Sequence, residues 1–117
     1  MAMYGATAGQ VGILRTEAST NQAICGITPN DNIIPEFLYY YLKTQIDVIK
    51  EKRLGAAQPN LTQGIVQDLQ IPIPPIEIQQ QIVDEMDAKN EYIKLTEQII
   101  KEQKQKMSHI IASIWNI

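Results

Sequence analysis

The sequence predicts an α+β fold in which short strands pack on one helix and a single long helix follows. Three features predict it. Short apolar runs bounded by glycine and proline occur in the first 75 residues, an amphipathic run covers residues 35–52, and glycine and proline are absent from residue 76 onward. We therefore expect a partial globular domain over residues 1–75 and a long dimerisation or spacer helix over residues 76–117.

Three runs in the first part are typical of short strands. They cover residues 11–14, 23–28 and 69–73. The last run can only be an edge or terminal strand, because Pro72 and Pro74 have no N–H to donate. Glycines at positions 5, 9 and 12 fit a hairpin or bulge better than a phosphate loop. Such a loop needs a lysine and a Ser/Thr directly after its last glycine.

One cysteine and one histidine exclude an internal disulfide and argue against a Cys/His metal site. Cys25 is interpreted as a small buried hydrophobe. The alternative, a catalytic pair with His109, is disfavoured because that histidine lies far along the terminal helix. We expect no cofactor, no metal and no catalytic residues.

Pro35 opens the predicted helix at the position that proline prefers, and Gly55 provides its stop. Three consecutive tyrosines, residues 39–41, spread around this helix, so we favour packing over base stacking. The following loop, residues 55–62, has two readings. Asn60 or Thr62 caps a short helix over residues 63–68, or the loop amides are exposed to phosphate or to a partner protein.

The terminal helix carries an apolar seam with a seven-residue repeat. Its seam residues are Ile82, Met86, Ile93, Ile100, Met107, Ile110 and Ile114. In the middle, the companion positions are polar: Lys89, Thr96 and Gln103. Polar seam residues specify register and partner at a cost in stability, so we expect this helix to pair with another helix. A membrane-surface helix is the rival interpretation, but such helices are basic on their polar face and this one is more acidic than basic.

Five ordered motifs resemble those of specificity subunits of type I restriction-modification systems. They lie at residues 3–9, 21–27 (NQAICGI), 36–42 (EFLYYYL), 55–62 (GAAQPNLT) and 71–79 (IPIPPIEIQ). Ile78 departs from the family pattern, which usually has a second acidic residue in this junction. The resemblance covers the last part of one target-recognition domain and one long helix. The earlier strands of the domain and a second repeat have no counterpart.

The resemblance implies a non-catalytic, cytoplasmic subunit that contacts double-stranded DNA within an assembled complex of methyltransferase and restriction subunits. The implied layout, with long helices paired antiparallel, leads us to expect a homodimer. Candidate DNA-binding residues are the polar groups of the implied recognition loops: Thr7, Gln10, Arg15, Gln58 and Asn60. The competing hypothesis is a dimerising scaffold that has lost autonomous DNA reading.

Charge does not decide between these hypotheses. Residues 1–75 carry five Lys/Arg against six Asp/Glu, and residues 76–117 carry five against seven. Neither half has the basic character of an autonomous DNA binder. No apolar run approaches the length of a membrane span, so we expect no membrane partner. A polyproline ligand at residues 72–75 is a further alternative, but the flanking apolar residues argue for burial.

Overall fold

The computed structural model describes residues 1–3, 9–52 and 61–115, and its regular elements are three helices. Helix α1 is Pro35–Lys52, α2 is Gln63–Gln67 and α3 is Ile76–Trp115. The chain divides into two units, Met1–Val83 and Asp84–Ile117. The first two turns of α3 thus belong to the same compact unit as α1 and α2.

The predicted strands are not confirmed, because no strand forms in the described ranges. Residues 11–14, 23–28 and 69–73 are irregular, with one isolated antiparallel bridge between Ala2 and Ile24. The backbone around this bridge is nevertheless paired. Met1 and Cys25 exchange two hydrogen bonds of 3.0 and 2.8 Å, and the Met3 N–H donates to the Ala23 carbonyl over 2.9 Å. A strand needs at least two consecutive bridges, and this segment has one, so it is not a strand.

Met1–Met3 is paired on its other side by backbone from two further places in the chain. The Ala2 N–H donates to the Gln10 carbonyl over 3.0 Å, and the Gly9 N–H donates to the Ala2 carbonyl over 2.8 Å. The Leu61 N–H donates to the Met3 carbonyl over 2.9 Å. Gly9 has a φ of 89°, a conformation that L side chains rarely adopt, so glycine is required at this turn.

Helix α1 supplies the centre of the core, as its apolar spacing predicts. Leu38, Leu42 and Ile46 recur every four residues and are buried. They form one cluster with Met1, Met3, Cys25 and Leu61. Cys25 is buried and unpaired, as expected of a small hydrophobe. Of the three tyrosines, Tyr40 is buried while Tyr39 and Tyr41 are half-buried, which confirms packing as the main role of this run.

The loop before α2 ends in the predicted cap. The Thr62 hydroxyl oxygen accepts a hydrogen bond from the Ile65 N–H over 3.2 Å, and Thr62 has an extended backbone. A turn also forms at residues 31–32, where the Asn30 side-chain oxygen accepts from the Asn32 N–H over 3.0 Å. Part of the motif at residues 55–62 lies outside the described residues.

Helix α3 has 40 residues and therefore a length of about 60 Å. Its start at Ile76 agrees with the sequence prediction, and residues 116–117 lie outside the described residues. From residue 84 to residue 115 every side chain is exposed except Met86 and Asn90, which are half-buried. Intrinsic propensity and local pairs stabilise long isolated helices only marginally, so an apolar side of this length needs a packing partner.

Candidate functional surfaces

Gln79 holds the first turn of α3 within the Met1–Val83 unit. This side chain is 0% exposed and makes three hydrogen bonds. Its Oε1 accepts from the Ile34 N–H over 2.8 Å, and its Nε2 donates to the carbonyls of Asn32 and Pro74 over 2.9 and 2.8 Å. A single amide thereby joins the first turn of α3 to the segment that leads into α1 and to the proline run before α3.

The predicted seam lies on the exposed part of α3. Met86 is half-buried, and the other six predicted seam residues are exposed by 38% to 65%. They are Ile82, Ile93, Ile100, Met107, Ile110 and Ile114. Soluble monomers rarely expose apolar side chains in so continuous a row. Such a row indicates an interaction site, whereas scattered single apolar residues on a surface do not. The seam residues are therefore candidates for contact with another helix, and this contact stays a prediction.

A second apolar strip on α3 was not singled out from the sequence. Tyr92, Leu95 and Ile99 are 73%, 63% and 57% exposed. They follow one another at spacings of three and four residues, so they share one side of the helix. The signal was present in the sequence as an apolar series in a different register from the seven-residue repeat.

Among the candidate DNA-binding residues, Arg15 has the clearest geometry. Its Nη2 lies 3.3 Å from Oε1 of Glu36, and its side chain is 71% exposed against 33% for Glu36. Glu36 is in the first turn of α1, where a carboxylate is also stabilised by the helix dipole. The guanidinium is accessible, but a phosphate would have to share it with this carboxylate.

The other DNA-binding candidates are less defined. Gln10 is exposed, and in the described part of the chain no hydrogen bond joins its side chain to Arg15. Thr7, Gln58 and Asn60 lie outside the described residues. Because three of the five predicted residues lie outside the described ranges, whether the five form one DNA-binding site stays a prediction.

The sequence analysis included Gln79 only as the last residue of the motif at residues 71–79 and did not predict its burial. One signal could have identified it. The seven-residue repeat of Met86, Ile93 and Ile100 extends back to position 79, where a glutamine replaces the expected apolar residue. A polar residue at such a position is either exposed or buried with satisfied hydrogen bonds, and here it is buried and satisfied.

Within the described ranges, no group of three or more His, Cys, Asp or Glu side chains could hold a metal ion. No described helix is long and apolar enough to cross a membrane. The exposed features of the described ranges include the two apolar strips of α3 and the Arg15–Glu36 pair.

The family described as the type I restriction modification DNA specificity domain matches residues 1–105. The specificity subunit of the type I restriction enzyme MjaIX from Methanocaldococcus jannaschii is 34% identical over 76 residues. That match covers 63% of this chain and 18% of the relative, so the chain matches less than a fifth of that protein's length. No solved structure matches the chain.

Proposed function

The chain belongs to the family of type I restriction modification DNA specificity domains, and we propose that it is a non-catalytic part of a DNA specificity subunit that dimerises through α3. In this proposal each chain contributes the residues 1–75 part as one DNA-contacting unit. Two chains form a homodimer that docks methyltransferase and restriction subunits in the cytoplasm. The exposed seam of α3 is the observation that carries the proposal, because a long helix with this repeat requires a second helix.

The seam favours an antiparallel pair of identical helices over a parallel one. In a parallel pair in register, Lys89 would face its own copy, and two like charges would meet in the interface. In an antiparallel pair centred near residue 98, each polar seam residue faces an apolar one. Lys89 then faces Met107, Thr96 faces Ile100, and Gln103 faces Ile93.

The ends of the seam support the same register. Ile82 then faces Ile114, and Met86 faces Ile110, so every predicted seam residue finds a partner.

Seam dimerisation is tested by Ile100→Asp, measured as mass by light scattering. An unpaired charge buried at the centre of the seam costs several kcal/mol, so we expect the variant to be monomeric at concentrations where the native chain is a dimer. Gln105→Asp is the matched control, because it adds the same charge on the opposite side of α3 and should leave the dimer intact. A dimeric Ile100→Asp chain would place the interface elsewhere.

Orientation is tested by disulfide formation between two differently substituted chains, Ile82→Cys and Ile114→Cys, both with Cys25→Ser. An antiparallel dimer brings positions 82 and 114 of different copies together, so mixing should give the mixed disulfide. A parallel dimer would instead link each variant to its own copy.

DNA contact in this proposal depends on Arg15, which sets affinity through phosphate, while the amides of Gln10, Gln58 and Asn60 orient the unit. The chain has a formal net charge of −3, so binding by the isolated chain should be weak and strongly dependent on salt. Methyltransferase subunits would supply most of the phosphate neutralisation.

The DNA proposal is tested by a gel-shift titration over salt, with and without methyltransferase subunits. Arg15→Ala should weaken binding. It should also reduce the slope of the logarithm of affinity against the logarithm of salt concentration by about 1, the value for one lost phosphate contact. Glu36→Gln should act in the opposite direction, because it frees the guanidinium from its carboxylate partner. Lys94→Ala is the control, since Lys94 forms a comparable surface pair with Glu91 at 3.6 Å and should leave the affinity unchanged.

A dimerising scaffold without DNA reading is the second candidate function. The Arg15–Glu36 pair favours it, because the accessible cation is already neutralised by a neighbouring carboxylate. The two candidates share the seam and differ in DNA affinity. Equal affinities for the native chain, Arg15→Ala and Glu36→Gln in the assembled complex would favour the scaffold.

A further inference from the structure

The irregular segment before α1 exposes an arginine together with its backbone. Residues 14–22 are all exposed, and residues 11–21 form no helix, strand or turn. Within the described ranges, no backbone hydrogen bond holds residues 11–20. We propose that the Arg15–Thr16 bond is a modification site, cut by an endopeptidase of the trypsin class, and that the cut chain stays folded with a weakened DNA contact. The last part of this inference rests on the DNA contact proposed above for Arg15.

Arg15 differs from the lysines in its backbone. Its side chain is 71% exposed, and that of Lys94 on α3 is equally accessible at 72%. Every lysine of the chain, however, lies in α1 or α3, where the helix holds its backbone. Arg53 lies outside the described residues. Because proteases bind their substrates as extended chain, they cut exposed irregular segments in preference to helices.

The residues on both sides of the bond suit a protease of this class. A trypsin-class enzyme places an arginine or lysine side chain against a carboxylate in its specificity pocket. The residue after Arg15 is a threonine and not a proline, so the bond that is cut has an ordinary N–H. In the hydrolysis the C–N bond breaks, the oxygen of a water molecule bonds to the Arg15 carbonyl carbon, and both water protons end on the Thr16 nitrogen. The products are a carboxylate on Arg15 and an ammonium on Thr16.

Glu36 restrains the site. Its Oε1 lies 3.3 Å from Nη2 of Arg15, and the guanidinium must leave this carboxylate before a protease can bind it. Glu36 belongs to the first turn of α1, so it cannot follow the arginine into the protease. Since surface ion pairs are weak, we expect the pair to slow cleavage without preventing it.

The fragment Met1–Arg15 stays attached after the cut. Met1 and Met3 belong to the buried core cluster. Their backbone exchanges hydrogen bonds of 2.8 to 3.0 Å with residues 23, 25 and 61, all of which lie on the other side of the cut. These contacts are independent of the Arg15–Thr16 bond, so the core keeps its packing.

The cut changes the charge next to the Arg15 guanidinium. The new carboxylate belongs to the same residue, and at this short distance it competes with a phosphate for the cation. The new chain end is also free to turn away from Glu36. Cleavage therefore lowers DNA affinity, while the apolar seam of α3 is chemically unchanged.

The site is tested by limited digestion of the full chain with trypsin, and mass spectrometry identifies each cut. We expect cleavage after Arg15 to be at least about tenfold faster than after Lys94, which is the internal control because it has equal exposure and a comparable carboxylate partner. Glu36→Gln should accelerate the cut after Arg15 by about two- to fivefold. Equal rates at Arg15 and Lys94 would overturn the site, and an unchanged rate in Glu36→Gln would overturn the restraint.

The consequence is tested on the cut chain. Its two fragments should elute together in size-exclusion chromatography, and separate elution would overturn the assembled product. In the gel shift with methyltransferase subunits, the cut chain should bind DNA as weakly as Arg15→Ala does. Native affinity of the cut chain, beside a weakened Arg15→Ala, would overturn the effect of cleavage on DNA. If Arg15→Ala itself binds like the native chain, the proposed DNA contact fails, and the digestion still decides the cleavage site.

Discussion

Gln79 is expected to stabilise the compact unit more than any other polar side chain described in it, and replacing it with methionine isolates that contribution. Methionine has a similar length and no amide, so Gln79→Met removes three hydrogen bonds of 2.8 to 2.9 Å without opening a large cavity. The Ile34 N–H and the carbonyls of Asn32 and Pro74 then lose their partner.

The magnitude follows from these three contacts. A hydrogen bond contributes about 1 kcal/mol net, and a buried group left without a partner costs about 1–3 kcal/mol. Asn32 is exposed and its carbonyl can turn to water, so we take the lower values and expect Gln79→Met to reduce the free energy of unfolding by about 3 kcal/mol. That is a large fraction of the stability of a small domain.

Two measurements check this expectation. Urea denaturation gives the change in the free energy of unfolding, and amide hydrogen exchange at Ile34 reports directly on the N–H that Gln79 accepts from. Gln81→Met is the matched control. The same substitution two residues along the helix at an exposed site should change stability by less than about 0.5 kcal/mol. Equal unfolding midpoints for the two variants, with Ile34 still protected, would refute the role assigned to Gln79.

Three further substitutions test other parts of the chain. Gly9→Ala should reduce the unfolding free energy by about 1–2 kcal/mol in urea denaturation because Gly9 has a positive φ, whereas Gly12→Ala, where a Cβ meets nothing within 4 Å, should be nearly neutral. Thr62→Ala should cost about 1 kcal/mol by the same assay, since it removes the cap on α2, and an unchanged midpoint would contradict that role. Lys89→Ile should lower the dissociation constant of the dimer, measured by sedimentation, because it removes a charge from the seam. In the orientation test, the same substitution should allow both the mixed disulfide and the disulfides between identical chains. If only the mixed disulfide forms, Lys89 does not set the orientation.

The helices could be predicted from the sequence because their signals are local. Each of these signals acts within a few residues: the proline that starts α1, the proline run directly before α3, the apolar spacing of three and four, and the Thr62 cap. The strands could not be predicted in the same way. Short β-branched runs become strands only when another segment supplies consecutive pairing, and here the pairing around Met1–Met3 is limited to isolated hydrogen bonds from three places in the chain.

The candidate surfaces divide along the same line. The exposed apolar row on α3 could be predicted because a seven-residue repeat can be read from one helix alone, while its role as a seam stays a prediction. The burial of Gln79 could not be predicted, because it depends on three groups, two of which lie 45 and 47 residues away in the chain. The pairing of Arg15 with Glu36 likewise depends on how an irregular segment meets the first turn of α1, which no local pattern specifies.

The distribution of partners within the described chain explains why association should come before DNA affinity. In the Met1–Val83 unit, several polar side chains already have partners within the chain. Gln79 holds the first turn of α3, Thr62 caps α2, and Glu36 pairs with Arg15. Over residues 84–115 of α3, by contrast, the apolar side chains of the seam are exposed, apart from the half-buried Met86. In the proposed function, a single chain would thus offer DNA the accessible Arg15, already paired with Glu36, and would offer another helix the long apolar face of α3. Joining two such chains makes the second DNA contact intramolecular, which can raise affinity by orders of magnitude without any new contact to the bases. Dimerisation through α3 would therefore convert a weak, salt-sensitive DNA contact into a useful one.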